Sequence, residues 1–134
     1  MSFANVDVVT ASYHRCRSSE GFVDTFYEHF LAKSEEVARK FEQTDFAQQK
    51  LLLRESLLAM LLLNLNSADA REELERLAER HSRRCLDIRP HLYELWLDAL
   101  CEAVNKHDPK YTPELREQWR AAMRPGIELL CAKY

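Results

Sequence analysis

An all-α fold of six or seven helices is what this sequence predicts, and three observations carry the prediction. The chain has only two glycines among 134 residues, with 46% hydrophobic and 31% charged side chains, a composition that suits long helices better than turn-rich sheet. Apolar residues recur at three- and four-residue spacing through most of its length. Strict alternation between turn residues occurs nowhere, so no strand is expected. A chain of this size can bury a real core, and residues 1–134 are read as one domain.

The first helix is expected from about Val6 to Arg17, ending at "SSEG", where Ser18 or Ser19 can cap the next. In the second, Phe22, Phe26 and Phe30 form an aromatic stripe with Tyr27 on its flank. Ser34 caps a short turn, "SEEVARKF", that faces Val37 and Phe41 inward. Thr44 or Asp45 opens the longest apolar segment, "TDFAQQKLLLRESLLAMLLLN", with Arg54 and Glu55 marking its wet side. At roughly 100° per residue, the direction opposite that pair is taken by Phe46, Gln49, Leu53, Ser56 and Met60. Gln49 is therefore aimed at the core, whereas Gln48 is well off that line. In "ADAREELERLAERHSRRC", His81 follows Leu74, Leu77 and Ala78 on the apolar side. Pro90 stands at the first turn of a helix reaching about Lys106, apolar at Leu92, Leu95, Trp96, Ala99, Leu100 and Ala103. Pro109 and Pro113 punctuate the turn before the last helix, about Thr112 to Lys133, which Pro125-Gly126 should kink or weaken.

Charge and cysteine usage exclude several classes of function. Net charge is -3 with basic residues spread among acidic ones, which leaves no electrostatic footprint for nucleic acid or an anionic membrane. Cys16, Cys85, Cys101 and Cys131 are far apart, form no C-x-x-C pair and are read as reduced cytosolic thiols. "MSFANVDVV" lacks the basic start and apolar run of a secretion signal, and "SLLAMLLLNL" is too short to span a bilayer. The expectation is a soluble, cytoplasmic protein. Nucleophile elbows, H-E-x-x-H, Gly-rich phosphate loops and Cys/His zinc spacings are all missing. The acidic run "DAREELERLAER" reads as a solvated face laced with i,i+4 pairs.

What remains are polar residues on apolar faces: Tyr27, Gln49, His81 and Tyr93. Taken singly, each has a plain packing reading. A buried imidazole must nevertheless find a partner for each ring nitrogen, by hydrogen bond or ligation. Taken together, an all-α core with an oversized apolar segment, several phenylalanines and one inward histidine can enclose a flat apolar cofactor. Haem fits that description, with iron taking a histidine and the porphyrin filling a cavity of Phe and Leu.

At this point the chain resembles bacterial single-domain globins over nearly its whole length. "FVDTFYEHFLAKSEEVARKF" is similar to the family's second helix and following corner, with the aromatic-Tyr pair and a Phe fourteen residues after the Tyr. "TDFAQQKLLLRESL" resembles the distal helix, and "LAERHSRRCLDIRPHLYELWLDAL" the proximal helix and its successor. The resemblance implies a globin-like fold whose helices sandwich haem b (iron protoporphyrin IX), with His81 as the iron ligand. It implies that Phe41 packs on the porphyrin, that Tyr27 and Gln49 are the distal polar residues, and that Tyr93 approaches the proximal histidine. A one-residue slip in the short corner makes Gln48 the distal residue instead. Leu53, Leu57, Leu77 and Trp96 are expected around the cofactor, and Lys50 is expected either to reach a propionate or to stay solvated.

The implied partners are O₂, CO and NO, bound reversibly for storage, sensing or transport. An NO dioxygenase or weak peroxidase served by a separate reductase is the alternative, as is a gas sensor acting through a partner protein. Two departures from flavohaemoglobins stand out. Residues 1–134 contain no reductase-like segment, so any electron supply is expected to come from a separate protein, and Tyr134 stands where those proteins place a Glu late in the last helix. The oligomeric state is left open.

Overall fold

The computed structural model describes residues 5–134, so Met1–Ala4 of the segment read for a secretion signal lie outside it. The described residues form seven α-helices and no strand: α1 (Val6–Ser18), α2 (Phe22–Leu31), α3 (Glu35–Lys40), α4 (Phe46–Leu63), α5 (Ala68–His81), α6 (His91–His107) and α7 (Pro113–Ala132). None of these helices is long and apolar enough to cross a membrane.

Side-chain caps set most of the starts, because the first N–H groups of a helix have no partner within it. Asn5 accepts from the Val8 N–H, Ser34 from Val37, Ser67 from Ala70 and Thr112 from Leu115. For α4 the cap is Asp45 rather than Thr44, its carboxylate accepting from Ala47 and Gln48. Ser18 and Ser19 do not cap α2. Ser18 is still within α1, and the cap position falls to Gly21 at φ 87°, a left-handed conformation that glycine adopts without strain.

α2 packs most extensively on α6, α4 on α5 and α7, and α1 across α6 and α7. Phe26, Leu57, Leu74, Leu97, Leu100, Trp119 and Met123 are fully buried between them. Pro125 removes a helical donor but does not end α7, which runs unbroken through it. In the same turn the side-chain amide of Asn64, the C-cap of α4, donates to the Ala122 carbonyl at 2.8 Å. A Cβ on Gly126 would stand 2.8 Å from Met60 Cγ, so this glycine lets α4 and α7 approach closely where α4 passes the core.

Where α1, α6 and α7 meet, a charged network is folded in. Asp108, 2% exposed, takes two hydrogen bonds from Arg15 (2.6 and 2.9 Å), one from the Ser12 hydroxyl (2.6 Å) and one from the Lys110 N–H (2.9 Å). Trp119 Nε1 donates to Ser12 Oγ at 2.9 Å. Burial pushes the Asp108 carboxyl up, but Arg15 and the other donors outweigh it and hold the group below its ordinary range. All four cysteines are free; Cys16 and Cys101 are buried, and burial pushes their thiols up to about 12 and about 11.

Candidate functional site

His81 is the last residue of α5. The chain turns away at Ser82, and the loop behind the histidine is held by its own backbone: Leu86 N–H donates to the Arg80 carbonyl at 3.0 Å and Ile88 N–H to the His81 carbonyl at 2.9 Å. Asp87 closes this loop at φ 51°, its carboxylate accepting from the Tyr134 hydroxyl. The His81 ring lies over Tyr93 of α6, centroids 6.2 Å apart and planes 21° from parallel, with Nδ1 at 3.0 Å from Tyr93 Oη. Burial, with a smaller contribution from Arg80, lowers the His81 pKa to about 4. The imidazole is thus neutral at neutral pH, the form that can offer a nitrogen lone pair. Its only side-chain hydrogen bond among the described residues uses Nδ1, so Nε2 remains available to the cavity. Burial also keeps the Tyr93 phenol protonated, pushing it far above its usual value.

α2 and α4 bring a second set of polar groups to the same cavity. Tyr27 is 4% exposed, and its hydroxyl donates to the backbone carbonyl of Gln49 at 3.3 Å. Burial raises the Tyr27 phenol to about 12, with the Gln49 side chain pulling the other way. Its ring makes edge contacts with Phe41 (5.8 Å between centroids) and Phe46 (5.6 Å), and Phe41 stacks on Phe46 at 6.0 Å. Phe26 meets Trp96 edge-on at 6.0 Å. Such pairings fix ring orientation beyond simple burial.

These residues, Phe46 apart, enclose a cavity of about 320 Å³, a size typical of small-molecule sites. Phe30, Val37, Met60, Leu92 and Leu130 complete its apolar wall, and its rim is formed by the exposed Lys40, Arg80 and Leu86. Lys40 Nζ donates to the Leu86 carbonyl at 3.0 Å, while Arg80 enters no ion pair among the described residues. An apolar slot with one neutral imidazole nitrogen inside and two cations at the rim suits a flat apolar group that carries carboxylates on one edge. Haem is such a group, and the residues fit it.

Of the residues singled out from sequence, Tyr27, Phe41, Gln49, Leu53, Leu77, His81, Tyr93 and Trp96 all line this cavity. Three do not. Gln48 is exposed on the far side of the first turn of α4, where the helical angle already put it. Leu57 is fully buried, but behind the wall in the core. Lys50 points into a separate polar cleft beside Arg17 and Arg54, its Nζ 2.5 Å from Asp24, so the expectation that it serves the cavity gives way to an ion pair with α2. The rim cations Lys40 and Arg80 were missed. Arg80 directly precedes His81, which was a usable signal. Lys40 is placed by the α3 corner, which no periodicity describes.

The globin family model matches residues 24–127. Among solved structures, a Pseudomonas aeruginosa protein described as structurally highly homologous to a human haemoglobin is 44% identical, with a TM-score of 0.92 over 96% of this chain and 97% of that one. No curated protein matches. On sequence and structure alike, the chain belongs to the globin family, and membership implies a haem cofactor.

Proposed function

We propose that residues 1–134 form a single haem-binding unit that holds haem b through His81 and reversibly binds O₂, CO and NO. The observation that carries the reading is the placement of one neutral imidazole, backed by Tyr93, in the same apolar cavity as Tyr27 and Gln49. When bound, haem supplies an iron atom with one coordination position open to a diatomic gas. His81 would hold that iron through Nε2, with Nδ1–H donating to Tyr93 Oη to fix the tautomer and the ring plane. Lys40 and Arg80, at the cavity rim, would hold the propionates. Tyr27 and Gln49 are the hydrogen-bond donors for a polar ligand. The Tyr27 O–H reaches such a ligand by rotating off the Gln49 carbonyl, a partner it holds only loosely at 3.3 Å. Each donor in a dry pocket contributes on the order of 1–3 kcal/mol, roughly five- to a hundredfold in retention. Slow O₂ release is the consequence.

The test is absorption spectroscopy of the protein reconstituted with haem. A Soret band that changes with O₂, CO and NO is expected, and His81→Ala should lose the native axial coordination. Spectra of His81→Ala identical to wild type in both ferrous and ferric forms would sink the proposal.

A further inference from the structure

α4 is apolar on two opposite sides. Gln49, Leu53, Ser56 and Met60 line the cavity, and roughly half a turn round the helix Leu51, Leu58 and Leu62 form a second stripe, with Leu65 in the turn just past the helix end. These four leucines are 52%, 47%, 38% and 62% exposed, and they are four of the six large hydrophobic side chains on the described surface. Scattered surface leucines need no explanation, but a run along one helix face marks a contact site.

We infer that this face is where a second copy of the chain docks, α4 against α4 about a two-fold axis running along the helix. The charge pattern selects the occupant. At about 100° per residue, Arg54 and Glu55 fall about 50° to either side of the stripe's centre, one cation and one anion on opposite flanks. Neither enters an ion pair among the described residues. A two-fold axis along the helix turns the left flank of one copy onto the right flank of the other, so Arg54 meets Glu55 of the second copy twice, and the leucines meet one another. An anionic lipid surface would call for cations on both flanks, which this face does not carry. One helix face covers less than the roughly 800 Å² per partner of a standard interface, so the dimer is a weak, transient one.

Sedimentation velocity of the full chain from low to high micromolar concentration tests this. A shift from the 15.8 kDa monomer towards twice that mass is expected. Leu58→Glu should weaken association at least tenfold. Arg54→Glu and Glu55→Arg should each weaken it roughly five- to tenfold, since each sets two like-charged contacts face to face. The double reversal should restore it. Far-ultraviolet circular dichroism and the melting midpoint confirm that each variant is folded, which exposed positions allow. A wild-type chain that stays monomeric throughout, or a dimer indifferent to Leu58→Glu, overturns the inference. So does a double reversal that remains as weak as either single one.

Discussion

Two regions of this molecule bury polar groups, and they do so to opposite ends. At the α1–α6–α7 corner, Asp108 has four donors and Ser12 one, all from the chain itself. At the end of α5, His81 has one partner, Tyr93, and its second nitrogen belongs to a cavity. The corner is closed on itself, so its polar groups specify geometry and nothing else. The cavity is polar only where a bound group would complete it. A satisfied cluster of buried charge thus marks a structural lock, whereas an incompletely partnered neutral group in an apolar slot marks a binding site.

The largest expected effect lies on the structural side. Asp108→Ala strands Arg15 and Ser12 and should cost about 3–5 kcal/mol, lowering the melting midpoint by roughly 10 °C or more. The haem spectrum of the surviving folded fraction should be unchanged, and loss of the spectrum ahead of helicity would break the contrast. The same group sets an acid limit. Its folded pKa lies below the ordinary carboxylate value, so its stabilisation is fully present above that value and disappears as pH falls through the folded pKa. Asp108→Asn should flatten this part of the acid-unfolding curve.

On the cavity side, Tyr27→Phe should speed O₂ release five- to a hundredfold, roughly 1–3 kcal/mol. CO, less polar when bound, should change much less, and stopped-flow release of both gases decides it. Next comes Tyr93→Phe, which frees the His81 tautomer and should weaken haem retention about tenfold, measured by transfer to an apo-globin acceptor. Smallest is the rim: Arg80→Ala should quicken haem loss only a few-fold in the same assay, because exposed ion pairs are weak. Lys50→Ala, whose partner is Asp24, should leave haem loss unchanged.

Much of this was legible in the residues themselves. Helical periodicity located six of the seven elements, α3 being read only as a short turn capped by Ser34, and the angle arithmetic on α4 separated the inward Gln49 from the outward Gln48, which the structure reproduces. Both results rest on a rule local to one helix. Leu57 was expected at the cavity from the family resemblance, but at roughly 100° per residue it falls about 70° from the face that Gln49, Leu53, Ser56 and Met60 present, and it lies behind the wall.

The sequence alone determined the helices, their caps to within a residue or two, and which face of each is apolar, because those follow from interactions between residues a few positions apart. It also supplied the histidine whose burial called for a partner. Only the tertiary structure decided that Asp108 is locked by Arg15, that Lys50 turns to Asp24, and that Lys40 and Arg80 share a rim. Each of these joins residues on different elements, whose approach depends on how the helices cross and how the corners between them turn, and no periodic pattern within a single helix carries that information.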